Sequence, residues 1–250
     1  LRTVIIYIII ILLGLVCLLP LLNIVAISFS SSAAVEGNMV GLIPVGFSTA
    51  AYKKILEDSQ FWHSFLISVE RVVLALIINF VLIVLMAYPL SKTNAQFRGR
   101  NIYANLMIFA MLFNGGMIPT FLVVKSYGLL NTVWALVLPG AVPIFNVILV
   151  MNFFAAVPKE LEEAAFIDGA NPFQVLTKIF IPISKPVLAT VSLFSIVGSW
   201  NDFYSGLIYM SKAAYYPLMT YIQSLQINVE DLIKQGNLSA VVDSASLGNT

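Results

Sequence analysis

Apolar residues in this chain run on for the width of a bilayer, where a soluble fold would break them into short periodic patches. A helix needs about 20 predominantly apolar residues to cross a hydrocarbon core of about 30 Å. Five stretches have that length: 4–27, 64–90, 102–124, 132–152 and 186–209. None shows the ten-residue alternation of barrel strands, so the pattern predicts an all-α membrane protein, a polytopic helical bundle, with no internal repeat. The first run is too long for a signal h-region, lacks a small-residue cleavage site and is followed by further spans, so it is expected to be a retained helix. The chain opens on Leu1 rather than Met, as a trimmed form of a longer product would.

Lys and Arg beside the spans set the expected orientation. Arg2, Lys92, Arg98, Arg100, Lys159, Lys178 and Lys185 fall on one side in short loops, whereas Lys53, Lys54, Lys125, Lys212 and Lys234 lie in longer segments on the other. The first side reads as cytoplasmic and includes the amino terminus. A single transmembrane domain over 1–250 then has an external surface segment at 28–63, a cytoplasmic loop at 153–185 and a second external segment at 210–250. Ser48 or Thr49 is placed to cap a short surface helix in the first of these. Five spans leave the carboxyl end outside.

Composition adds exclusions. The chain is 60% hydrophobic and 10% charged, against roughly 25% charged in a soluble domain. A net charge of +1 gives no basic field to gather nucleic acid. The single cysteine, Cys17, and single histidine, His63, cannot build a disulfide or a zinc site, and no phosphate-cradling Gly-rich loop is present. The chain is therefore not expected to be an enzyme or to hold a metal or cofactor.

The loop between the fourth and fifth spans carries the most information. Pro158 suits a first helical turn, Glu160, Glu162 and Glu163 load the amino-terminal end where the helix dipole favours them, and Gly169 supplies a stop. Glu160 and Glu162 read as solvated charges on the helix face. After Asn171-Pro172 a second amphipathic piece covers 173–179, and Pro182 with Pro186 redirects the chain into the fifth span.

The order Glu163-Ala164-Ala165, three residues, Gly169, nine residues, Ile179-Phe180-Ile181-Pro182 resembles the E-A-A-x3-G-x9-I-x-L-P signature of permease subunits of binding-protein-dependent ABC importers. Ile181 in place of Leu is the one departure. Trp200-Asn201-Asp202-Phe203 looks like the W-N-[DE]-F element of the carbohydrate-transporting, MalG-like branch. Asn114-Gly115-Gly116-Met117-Ile118-Pro119 and Tyr216-Pro217-Leu218 look like its LplC/YtcP-like subgroup. That resemblance implies a type I permease fold whose sixth span is missing here. It also implies that Glu163, Ala164, Ala165, Asp168 and Gly169 form a coupling helix docking into an ATPase, with Ala164 and Ala165 facing its groove. The implied assembly is a second permease subunit, two ATPase subunits that bind the ATP, and an extracellular solute-binding protein delivering a sugar or oligosaccharide, all at a bacterial cell membrane.

Asp202 lies about 16 residues into the fifth span, about 24 Å from its cytoplasmic end. A carboxylate there needs a partner, a wet cavity or a place near the headgroups. Asn114-Gly115-Gly116 before Pro119, and Pro139-Gly140 before Pro143, are expected to kink or unwind the third and fourth spans. Asn114, Asn201, Asp202 and Tyr204 are thus candidates to line a pathway, although Asn and small residues serve helix packing equally well. Glu70-Arg71 reads as a pair of interfacial charges, and Trp62, Tyr127 and Trp134 as an outer aromatic belt. The alternative function is an ion-coupled secondary transporter, which predicts inverted repeats and carboxylates deep in several spans.

Overall fold

The computed structural model of the chain describes residues 2–113 and 115–234, and Asn114 and 235–250 lie outside the described residues. It forms two compact units, Leu1–Trp62 with Ser224–Thr250, and His63–Gln223. The described residues hold helices and no strand.

In the first unit α1 (Arg2–Ser28) is apolar on all sides and exposed over 6–22, as a helix solvated by lipid is, and it is covered only toward its end, at Ala26. Asn23 on α1 donates to the carbonyls of Val40 (3.3 Å) and Gly41 (2.7 Å), which folds the following loop back on the helix end. α2 (Ser32–Glu36) and α3 (Ala50–Glu57) lie in the segment read as external. Phe29 stacks on Phe47 at 5.7 Å and on Tyr52 of α3 at 5.0 Å between ring centroids. Thr49 stands at the N-cap of α3 without a side-chain capping bond, so the expected cap is not formed there, and Ser48 Oγ instead accepts from the Ala50 amide at 3.2 Å just before the helix.

α4 (Ser59–Leu90) runs on through the second unit. One stripe, Ser64, Ser68, Arg71, Ala75, Asn79, Ile83, Ala87 and Leu90, is buried at steps of three or four. Apart from Ala75, the stripe is polar as far as Asn79, and it is apolar beyond it. Arg71 is 4% exposed, so the expectation of an interfacial charge fails there.

The third span is split into α5 (Arg100–Leu112) and α6 (Met117–Ser126), and the fourth into α7 (Val133–Val137), a 3-10 turn at Leu138–Gly140, and α8 (Ile144–Ala155) after a 48° bend. Both breaks fall at the Gly and Pro residues that predicted them. The loop beyond α8 holds α9 (Lys159–Ile167) and α10 (Pro172–Val175), which continues through a π turn at Leu176–Phe180 into α11 (Ile181–Ile183). The chain then turns by 84° into α12 (Lys185–Asn201). Pro182 and Pro186 flank that turn, as expected.

The fifth span does not reach residue 209. α12 stops at Asn201, Asp202 is extended at φ −76 and ψ 99, and a separate short helix α13 (Tyr204–Tyr209) follows. In 210–234, read as an external segment, the chain forms α14 (Leu218–Lys234). Among the described residues, two helices are long and apolar enough to cross a membrane, or up to five when each bent pair counts as one span.

The main core joins α4, α8, the π turn and α12 through Ile83, Val147, Val150, Phe154, Phe180 and Val191. A smaller cluster of Val124, Ala135, Leu136, Tyr209 and Met210 packs α6, α7 and α13.

Candidate functional site

Two constructions stand out in the second unit, an exposed helix closed by its own backbone and a polar centre where broken helices meet.

The first is α9. Gly169 has φ +81, a left-handed conformation that costs a residue with Cβ about 1–2 kcal/mol. It lets the amide of Ala170 reach the Ala165 carbonyl at 2.9 Å while the Gly169 amide reaches Phe166 at 3.1 Å. These are the two bonds of a Schellman motif, and they explain why a glycine stands four residues after Ala165. Asn171 then starts α10 with a capping box: its side chain accepts from the Gln174 amide and the Gln174 side chain accepts from the Asn171 amide, both at 2.9 Å. Both ends of the α9–α10 corner are thus fixed by local bonds.

Glu163, Ala164, Asp168 and Gly169 are exposed on α9. Ala165 is half-buried and packs against the main core, so the expected pair of outward alanines is reduced to Ala164. Ile167 is 86% exposed, and Phe166 and Phe173 are exposed beside it. Phe166 and Ile167 are left uncovered on a helix that also carries exposed charges. Their signal in the sequence was present, since Phe166-Ile167 falls within the motif spacing, but spacing alone does not show that they lack a cover.

Glu162 corrects the reading of a solvated charge. It is 9% exposed and its carboxylate oxygens lie 2.8 Å from Lys92 Nζ, just beyond the end of α4. The ammonium also sits 4.1 Å from the ring centroids of both Tyr88 and Phe180, within range of cation–π attraction. Burial pulls the Lys92 pKa below the ordinary lysine value, while Glu162 works against that pull.

The second construction centres on Asp202. Its carboxylate pairs with Arg71 Nη2, and Arg71 Nη1 donates to the Asp202 carbonyl at 2.8 Å. The other carboxylate oxygen accepts from the Ser205 amide at 3.1 Å, in the first turn of α13. Asp202 therefore has a partner, which sequence reading did not find because Arg71 lies 131 positions away. Asn79 donates to the carbonyls of Ala75 (3.2 Å) and Ala141 (3.0 Å) and accepts from Ser195 Oγ (3.3 Å). Ala141 belongs to the break of the fourth span. The carbonyls freed where α7 and α12 end thus receive donors from the polar half of the α4 stripe, as a low-dielectric interior requires. A cavity of about 180 Å³ opens among Arg71, Asn79, Pro139, Gly140, Asp202 and Ser205.

The other pathway candidates part company with Asp202. Asn201 is exposed and folds back to the Val197 carbonyl at 2.9 Å, while Tyr204 is exposed and its hydroxyl lies 2.9 Å from Met117 Sδ. Asn114 lies outside the described residues.

Residues 43–242 match the family described as binding-protein-dependent transport system inner membrane component. The chain is 44% identical to Protein LplC of Bacillus subtilis over 214 residues, which cover 86% of this chain and 72% of that protein. It is 40% identical to the polygalacturonan/rhamnogalacturonan transport system permease protein YtcP of Bacillus subtilis over 226 residues, 90% of this chain and 78% of that one. Among solved structures, a bacterial ABC transporter involved in the import of the acidic polysaccharide alginate matches with a TM-score of 0.83 at 34% identity, over 90% of this chain and 79% of that chain. A split bundle with an exposed, locally capped α9 and these relatives lead to one conclusion: the chain belongs to the inner membrane components of binding-protein-dependent transport systems, a family of ABC permeases.

Proposed function

We propose that this chain is the membrane-spanning permease subunit of an ATP-driven importer and that its solute is an oligosaccharide. The names of YtcP and of the alginate importer support a saccharide polymer or its fragments over a monosaccharide. ATP is bound and hydrolysed by two separate ATPase subunits, a second permease subunit completes the pathway, and an extracellular solute-binding protein delivers the sugar. The amino terminus and residues 153–185 lie on the cytoplasmic side, and 28–63 and 210–250 outside.

The observation that carries this reading is α9: a helix closed by its own backbone, with Glu163, Ala164, Asp168 and Gly169 exposed and Phe166, Ile167 and Phe173 uncovered. Ala164 allows close backbone approach, the apolar side chains fill a groove in the ATPase, and Ala165 seats the helix on its own core. ATP-driven closure of the ATPases moves α9, and the two permease halves exchange inward-open and outward-open states because each state holds α9 differently. Asn201 and Tyr204 line the pathway, while Asp202 and Arg71 hold the broken helices that shape it. An ion-coupled carrier gains nothing from this arrangement, since the carboxylate of Asp202 is already matched by Arg71.

The test is ATP-dependent uptake of labelled pectic and alginate oligosaccharides into proteoliposomes holding the complete complex. Uptake that requires ATP, the binding protein and an unaltered Ala164 is expected. Uptake driven by an ion gradient without ATP would overturn the reading.

A further inference from the structure

The chain connects α9 to α12 through α10, a π turn and an 84° bend, but it provides no comparable covalent route from α9 to α4. Glu162 and Lys92 are 70 positions apart, and yet they form a contact that few surface pairs match. The ammonium meets both carboxylate oxygens at 2.8 Å, lies 4.1 Å from the Tyr88 ring of α4 on one side and 4.1 Å from the Phe180 ring of the π turn on the other, and is largely shielded, as is Glu162, each side chain being 12% exposed. The Phe180 ring is itself packed edge-on to Tyr88 at 5.2 Å and to Phe154 of α8 at 5.4 Å. Beside it, Arg100 Nε donates to the Leu90 carbonyl at 2.9 Å and closes the end of α4. Three elements therefore meet on one cation, and α8 backs them through Phe154 on the Phe180 ring.

We propose that Lys92 is the positioning residue through which displacement of α9 is carried to α4, so that the second span moves with the coupling helix as α12 does. The inference rests on the reading of α9 as the ATPase-docking helix. An ion pair alone on a solvated surface transmits little, because salt and side-chain freedom relax it. Here the cation is clamped on two faces by rings and on a third by the carboxylate, so a shift of Glu162 drags Tyr88 and the α4 end with it. α4 in turn carries Asn79 and Arg71 to the breaks of the fourth and fifth spans, which gives α9 a second line to the polar centre.

The experiment compares the complete importer in proteoliposomes carrying the native chain, Lys92→Met, Lys92→Arg, Glu162→Gln or Ala164→Glu, and reads solute transported per ATP hydrolysed together with the ATPase content of the purified complex. Lys92→Met is expected to keep its ATPase subunits and its hydrolysis while transport per ATP falls about tenfold, within the span of ordinary coupling energies. Lys92→Arg, which keeps the positive charge and its attraction to the rings and the carboxylate but changes the shape of the cation, is expected to restore the ratio in part, above that of Lys92→Met. Glu162→Gln is expected to fall between them, and it decides the matter if Lys92→Met fails to assemble. An unchanged ratio in Lys92→Met, or in Glu162→Gln where that variant decides, overturns the proposal. So does a ratio equally low in Lys92→Arg. Failure of the underlying reading is distinct: it shows as Ala164→Glu keeping both its ATPase subunits and its transport.

Discussion

Arg71 and Asp202 join what the chain separates: one guanidinium bonds the carbonyl at the end of α12 and pairs with the carboxylate that caps the first turn of α13. A cation at a helix C-terminus and an anion before a helix N-terminus each complement the local dipole, so a single pair stabilises both sides of the break.

Removing Asp202 leaves the buried Arg71 charge uncompensated, at a cost of about 3–5 kcal/mol, and removing Arg71 leaves a partly exposed carboxylate at a smaller cost, whereas removing both at matched volume costs far less. Arg71→Met and Asp202→Leu are therefore expected to lower the unfolding temperature in detergent, the second more strongly, and the double variant to lie closer to the native protein than either single. A double variant as unstable as the sum of the singles would show that the two do not act as a pair.

Asn79 makes the corresponding contact at the break of the fourth span. Asn79→Leu strands the Ala141 carbonyl and Ser195 Oγ, at about 1–3 kcal/mol per unsatisfied group. Thermal unfolding in detergent measures that loss, and Asn79→Asp is not expected to repair it because a carboxylate cannot donate to Ala141.

Most of the helical plan was legible in the sequence, because crossing a bilayer demands long apolar runs and Gly and Pro announce the interruptions. The broken third and fourth spans and the Gly169 stop were read from those residues. The end of α12 at Asn201 was missed because Trp200-Asn201-Asp202-Phe203 contains neither Gly nor Pro, and the break there is held by a residue on another helix. Arg71 and Glu162 were misread for the same reason: each looks like a surface charge until its partner, Asp202 or Lys92, is brought up by tertiary packing. The stripe on α4 held a clue, since Ser64, Ser68, Arg71 and Asn79 share the face that continues through Ile83 and Ala87 into the core. A polar run on the buried face of a spanning helix signals broken neighbours that need donors.

Gly169→Ala places a Cβ in the left-handed conformation and is expected to cost about 1–2 kcal/mol. The loss is local to the Schellman bonds, so amide hydrogen exchange in α9 should quicken while exchange in α4 and α12 stays unchanged. Equal quickening in all three would argue that the glycine serves the whole fold.

Gly206 lies so close to α14 that a Cβ on it would stand 2.1 Å from Thr220 Oγ1 and 2.8 Å from Thr220 Cβ. Thr220 is fully buried and donates to the Phe203 carbonyl at 2.9 Å, so it has no room to retreat. Gly206→Ala is expected to destabilise by about 1–3 kcal/mol, as overpacking does. The penalty should shrink in a Thr220→Gly background, and the same penalty there would place the fault elsewhere than this contact.

The central claim, that α9 is where an ATPase grips this chain, is tested most directly by cross-linking. A cysteine at Ala164, on a Cys17→Ser background, is examined in the intact complex against cysteines placed along the ATPase surface, with and without ATP. The account predicts a cross-linked permease–ATPase species at position 164, with an efficiency that changes with nucleotide, and none from a cysteine at the buried Val175. Absence of any such species from position 164 in a complex that still imports its solute would contradict it.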